Sequence, residues 1–322
     1  MFIGGTNFGF MNGIVVAVWK MYFSLIIFLI GDRVLTSYDY DSPLTESGNY
    51  SAKYHKTREL YLKGVAQGRF PKTHLPDVPP ASHAHHYGVV KPHEYLPFEN
   101  LLAHARHFTN LQKPVTMELL NFGHDYGQRY GWILYRVITS HSAKEYEVAG
   151  TLYDRAIFYV DGHQTAVIEE GHNKQFKHTI TDHSGATKPM HYYDVLVENL
   201  GRRKFGSGIS ERKGIHSDIK IDGKVMNNIT TFSLDFEESF LKSLTTNWQK
   251  VSANSAVTSQ TSPTLYRAKL LISGAPADTY LALPGWTKGQ VFVNHFNIGR
   301  YWSVGPQHTL YVPAPVLKTG DN

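Results

Sequence analysis

Residues 154–168 (DRAIFYVDGHQTAVI) set Asp161-Gly162 between two runs of apolar and β-branched side chains. Both central positions of a two-residue hairpin turn need positive φ, which aspartate and glycine tolerate, so this stretch is expected to form a tight antiparallel hairpin. Residues 129–139 (RYGWILYRVIT) and 192–199 (YYDVLVEN) carry the same β-branched and aromatic density, and residues 283–312 read as a β-meander with a Gly-containing loop at 286–289. Short strands separated by turn signals, with few helical stretches, predict a mainly β chain built from antiparallel β-sandwich or jelly-roll domains. Hydrophobic residues make up 42 % of the 322 and aromatics 13 %, enough to pack such cores and to exclude global disorder.

The N-terminal part reads differently. Residues 1–10 (MFIGGTNFGF) and 36–43 (TSYDYDSP) are polar-aromatic segments separated by nearly pure hydrocarbon. Phe2 and Ile3 run into Gly4, Gly5, Thr6 and Asn7, the pattern of a buried parallel strand reaching the polar mouth where active-site loops begin. The Asn7 amide and the Tyr38 and Tyr40 phenols suit a polyhydroxylated ligand; equally, both tyrosines fit as packing residues in a long loop. Residues 51–67 are expected to form a helix, with Tyr54, Tyr61 and Val65 on one side, Lys53, Lys56, Arg58 and Lys63 in water, and Gly68 as its end. Residues 70–80 (FPKTHLPDVPP) are too rich in proline for regular structure and mark a domain boundary.

FIGGTNFGFMNG and TSYDYDSPLTESG closely resemble the end of the catalytic barrel of family-35 glycoside hydrolases, the lysosomal-type acid β-galactosidases. RAIFYVDG and YDVLVENLGRRKFGSGI are similar to motifs of that family's first β-domain, and LPGWTKGQVFVNHFNIGRYWSVGPQHTLYV matches its pattern GWxKGQVxxNxxNxGRYW. His295 departs from the pattern, since a glycine commonly follows the asparagine there, and a tight turn at this position would be strained. The resemblance implies the end of a (β/α)8 barrel followed by two jelly-roll-like antiparallel sandwiches. Its expected domains are a barrel remnant at 1–68 with an apolar insertion at 14–35, a linker at 69–85, a first β-sandwich at 86–225 and a second at 226–322, truncated so as to leave an open sheet edge. It further implies hydrolysis of terminal β-galactosyl residues with retention, a galactoside substrate contacted by Tyr40, no metal or cofactor, and a lysosomal or secreted location. A homo-oligomer is compatible with it.

Retaining glycosidases need two carboxyl groups about 5 to 5.5 Å apart. In the resembled family both glutamates lie on barrel strands that precede the stretch matched here, so no residue of this chain is expected to be catalytic and the chain alone is expected to be inactive. Asp39 and Asp41, two residues apart, lack the opposed geometry of such a pair and read as loop-capping groups. Glu198 reads as a carboxylate beside a Gly turn, and the adjacent Glu237 and Glu238 diverge on any regular element. Trp286 and Trp302 read as core residues rather than sugar platforms. His83, His85 and His86, with His74 upstream, have no supporting carboxylate and are expected to be solvated rather than to hold a metal.

Net charge is +5, but the basic residues are dispersed apart from Arg202, Arg203 and Lys204, so no nucleic-acid partner is expected. The 18 histidines make the net charge strongly pH-dependent near pH 6.5, which is compatible with an acidic compartment. With no cysteine there are no disulfides. Two sequons, at Asn49 and Asn228, are glycan candidates if the chain is secreted. Residues 14–30 are at the bottom of the length range for a membrane span and lack the basic start and cleavage site of a signal peptide. The preferred reading of 14–35 is translated non-coding sequence. The alternative to the hydrolase reading is a non-catalytic β-sandwich protein that binds glycans or a partner, membrane-anchored if 14–30 spans a bilayer.

Overall fold

The structure, a computed structural model, describes residues 5–6, 37–38, 42–72, 74–124, 126–168, 176–179, 188–201, 210–252, 263–305 and 307–322. The chain is mainly β, its strand pairs are antiparallel, and no closed barrel occurs among the described residues. It divides into two units: Lys91–Ala268, and Met1–Val90 with Lys269–Asn322.

The first of these is a sandwich. A six-stranded sheet runs in the order Arg106–Leu111, Ile229–Leu234, Trp132–Thr139, His191–Glu198, Arg155–Val160, His163–Ile168. Its facing sheet is four-stranded: Phe176–Thr179, Glu145–Val148, Ile219–Ile221, Lys224–Val225. Alternate residues Ile133, Tyr135 and Val137 meet Tyr193, Val195, Val197 and Phe158 in one core with Tyr146, Val148, Ile219 and Ile221. The period of two explains why these residues share a face. Leu134 and Arg136 on the opposite face are buried as well, because helix Phe98–Leu102 lies over that side and its Glu99 carboxylate accepts from the Arg136 guanidinium at 2.6 Å and 3.0 Å. Burial on both faces makes the strand read as a near-continuous apolar run.

Turn chemistry sets the register. Asp161 and Gly162 have φ of 51° and 82°, closing the hairpin between Arg155–Val160 and His163–Ile168. Asp222 and Gly223, at 47° and 76°, do the same between Ile219–Ile221 and Lys224–Val225. The resemblance implies a domain boundary between 225 and 226. The strand after that point, Ile229–Leu234, pairs with Trp132–Thr139, so the compact unit continues to Ala268.

In the other unit, helix Ala52–Ala66 ends where Gly68, at φ 68°, donates its amide to Val65 O and Arg69 donates to Gly64 O. This is the left-handed cap that glycine forms without a Cβ penalty. Lys288–Val293 and Phe296–Trp302 form a hairpin through Asn294 and His295, whose φ values are 50° and 69°. Thr279–Ala282 pairs with Thr309–Val312, and Leu271–Ile272 with Gly320–Asp321. Their core is Ile272, Ile298, Leu310, Val312 and Leu317. The last residues are tied in by a reciprocal pair of backbone bonds between Leu270 and Asn322.

No described helix is long and apolar enough to cross a membrane. Residues 14–35 and 202–204 lie outside the described residues.

Candidate functional site

Gly5–Thr6 pairs antiparallel with Ser37–Tyr38, Gly5 opposite Tyr38 and Thr6 opposite Ser37. The two halves of the N-terminal motif are thereby neighbours, although 30 residues separate them in sequence (7–36). The parallel neighbour inferred from the apolar start is not what the described backbone shows at Gly5–Thr6. Asn7, Asp39, Tyr40 and Asp41 lie outside the described residues.

The chain between the second half and the helix is closely held. Ser51 donates to Pro43 O through both its amide (2.9 Å) and its hydroxyl (2.8 Å), which returns the segment to the start of helix Ala52–Ala66. Within the returning loop, Thr45 N donates to Asn49 O and Asn49 N to Thr45 Oγ1. Asn49 then reaches across the unit: its Nδ2 donates to Ser82 O and its Oδ1 accepts from Ser82 N, both at 2.8 Å.

Ser82 belongs to the 69–85 segment, which with its proline-rich part at 70–80 behaves as a strap. Proline removes donors but leaves carbonyls needing partners. Side chains of the helix region supply them, Arg58 Nη2 to Pro76 O and the Tyr50 hydroxyl to Pro79 O, each at 2.8 Å. At its far end the strap meets Asp278. The Ser82 hydroxyl donates to Asp278 Oδ2, Ala314 N donates to Oδ1 at 2.8 Å, and His85 N donates to the Asp278 carbonyl at 2.7 Å. Thr279 Oγ1 returns a bond to His85 O, and the Tyr87 hydroxyl accepts from Ala277 N. Burial pushes the Asp278 carboxyl up, but the Ser82 hydroxyl, the Ala314 amide and the Tyr311 hydroxyl outweigh it and hold the group below the usual carboxylate range. Tyr311 responds in the other direction, pushed up to about 12 by burial and then by the neighbouring carboxylate. The segment expected as a linker at 69–85 is therefore bonded along much of its length.

The other residues singled out in the sequence are dispersed. His83 and His86 are exposed and the His85 ring packs 4.5 Å from Tyr87; among the described residues no three histidine or acidic side chains converge on a metal position. Glu198 is buried opposite Arg155, 3.9 Å from its guanidinium, while the nearby loop amides of Leu200 and Gly201 donate to Asp154 and Asn199. Glu237 and Glu238 face different cations, Arg129 at 3.6 Å and Lys242 at 2.6 Å. Trp302 is buried with Lys288 Nζ 4.3 Å above its ring, and Trp286 meets Tyr301 edge-on. Asn49 is half-buried in the clamp, whereas Asn228 is exposed. Asp278, Ser82 and Tyr311 carry no signal in the sequence: ADTY and SHAHHY have no recognised spacing, and the bond between Ser82 and Asp278 joins positions 196 apart.

Comparison with known proteins matches three family models in chain order. Glycosyl hydrolases family 35 covers residues 1–63; Beta-galactosidase, first all-beta domain, covers 114–235; and Beta-galactosidase, galactose-binding domain, covers 263–322. Beta-galactosidase-1-like protein 3 of Mus musculus is 35% identical over 100% of this chain and 45% of its own length. Beta-galactosidase-1-like protein 2 of Homo sapiens is 34% identical over 100% of the chain and 46% of its length, and Beta-galactosidase of Bos taurus 32% identical over 99% and 47%. The chain thus spans about half the length of the curated relatives it matches. With the family-35 model and both beta-galactosidase domain models matched in order along it, this chain belongs to glycoside hydrolase family 35.

Proposed function

We propose that this chain supplies the substrate loop and β-domains of a retaining β-galactosidase, with Tyr40 contacting the galactosyl hydroxyls and no metal or cofactor involved. The reading places it in a lysosome or outside the cell. By itself it binds galactose without cleaving galactosides. The observation that carries this is the ladder Gly5–Thr6 with Ser37–Tyr38, which joins the two motif halves beside the segment bearing Tyr40. The absence of turnover is supported by what three of the described carboxylates already do: Asp154 pairs with Lys213, Asp194 with Arg136, and Asp278 with Ser82 and Ala314. A carboxylate bonded in this way is not free to attack an anomeric carbon or to shuttle its proton.

The test is a chromogenic β-galactoside assay on the purified full chain together with galactose titration by calorimetry. Galactose binding that is weakened by Tyr40→Phe, with no hydrolysis, is the expected result. Hydrolysis abolished by Asp39→Asn or Asp41→Asn overturns the reading, as does the absence of any galactose binding.

A further inference from the structure

The two sequons occupy opposite structural situations. Asn49 has no spare donor: of its two amide hydrogens, one goes to Ser82 O at 2.8 Å and the other to Ser47 Oγ at 3.2 Å, while Oδ1 accepts from Ser82 N. Its partner in the sequon, Ser51, is engaged with Pro43. Asn228 stands in the loop 226–228 between Lys224–Val225 and Ile229–Leu234, is exposed, and its side chain makes no hydrogen bond among the described residues. Asn227, Lys224 and Val225 around it are exposed too, so the loop has open water on its outer side.

We infer that Asn228 is the N-glycan acceptor of this chain and that Asn49 is kept unmodified as an intramolecular clamp. In the transfer, Asn228 Nδ2 forms a bond to C1 of an oligosaccharide carried on a lipid diphosphate. The C1–O bond to the diphosphate breaks, the lipid diphosphate leaves, and a proton departs from Nδ2. One N–H remains on a glycosylated asparagine. At Asn228 that loss breaks nothing, and the sugar extends into solvent. At Asn49 it removes the hydrogen bond to Ser82 or to Ser47 and forces a bulky group between the helix-start loop and the strap. A half-buried amide left short of a partner destabilises the fold.

Natural occupancy rests on the secretory location proposed above, so the experiment imposes that route. The full chain, fused to a cleavable signal sequence, is secreted from a eukaryotic host, and each sequon peptide is scored by mass after enzymatic removal of glycans in heavy-oxygen water. Asn228 labelled and Asn49 unlabelled is the expected result, with Asn228→Gln abolishing the glycan shift and leaving Tm unchanged, and Asn49→Asp lowering Tm by a few degrees. An unlabelled Asn228 in secreted protein overturns the inference. So does a labelled Asn49 in folded, secreted protein. If the unfused chain lacks the glycan in its own cells while the secreted form carries it at Asn228, the location is wrong and the inference stands.

Discussion

Lys213 and Asp154 form an ion pair with 2.7 Å between Nζ and Oδ1, and each side chain is only 1% exposed. Asp154 also accepts from Leu200 N at 2.7 Å, and Lys213 N donates to both Glu118 oxygens. Removing one member strands a buried charge, so Lys213→Met is expected to cost about 3 to 5 kcal/mol. Asp154→Asn/Lys213→Met should recover part of that loss. Urea unfolding of the two variants measures the difference; equal losses would show that the charges are not coupled.

Arg136 is gripped from four sides. Asp194 accepts from its Nε and Nη2 at 2.8 and 2.7 Å, Glu99 from its Nη1 and Nη2, and the guanidinium lies 5.0 Å from the Tyr192 ring and 5.6 Å from that of Phe232. Lysine cannot reproduce the planar fork. Arg136→Lys should cost about 2 kcal/mol, while Glu99→Gln, at a side chain 64% exposed, should cost under about 1 kcal/mol. Chemical unfolding of both variants tests the ordering.

The Asp278 hub makes stability depend on pH at both ends. The folded carboxyl titrates below its ordinary 3.8, so its contribution is present above that value and is lost as pH falls through the folded pKa. Tyr311 titrates at about 12 rather than 10.0, so its contribution is present below 10.0 and is lost as pH rises toward 12. Asp278→Asn should lower Tm at neutral pH, with the gap to the unaltered chain narrowing below pH 3.8. A pH-independent gap in thermal scans would count against the hub.

Gly131 sits at φ 90° with the Leu234 carbonyl oxygen where a Cβ would go. Neither the backbone of the neighbouring segment nor the left-handed conformation can give way cheaply. Gly131→Ala should therefore destabilise by on the order of 3 kcal/mol, read from the urea midpoint.

His295 holds a left-handed φ of 69° in the turn after Asn294 and is exposed, so its ring gains little to offset the strain. His295→Gly should stabilise by about 0.5 kcal/mol, the relief of strain being partly offset by glycine's larger unfolded-state entropy. A fall in Tm would mean that the ring contributes packing.

Local chemistry made much of the fold legible. Asp161-Gly162 turns where its residue types place positive φ, and Gly68 ends its helix, because each outcome depends only on neighbouring backbone. Asp222-Gly223 carries the same hairpin signal as Asp161-Gly162, but its flanking strands are too short for a β pattern to stand out. The candidate site was legible only as a motif. Tyr40 stands out by resemblance alone and lies outside the described residues.

The order of residues by itself determined the strand pattern, the turns, the helix end and the family, since these depend on side-chain periodicity, backbone preference and motif spacing. Tertiary structure alone decided that Lys213 is buried, that Trp132–Thr139 is covered on both faces, that Ile229–Leu234 joins the sheet of the preceding domain, and that the proline-rich stretch is a bonded strap. Each of those depends on partners brought close by chain closure. No local pattern encodes a hydrogen bond between Ser82 and Asp278; it exists because chain closure brings a donor-poor segment against a carboxylate distant in sequence.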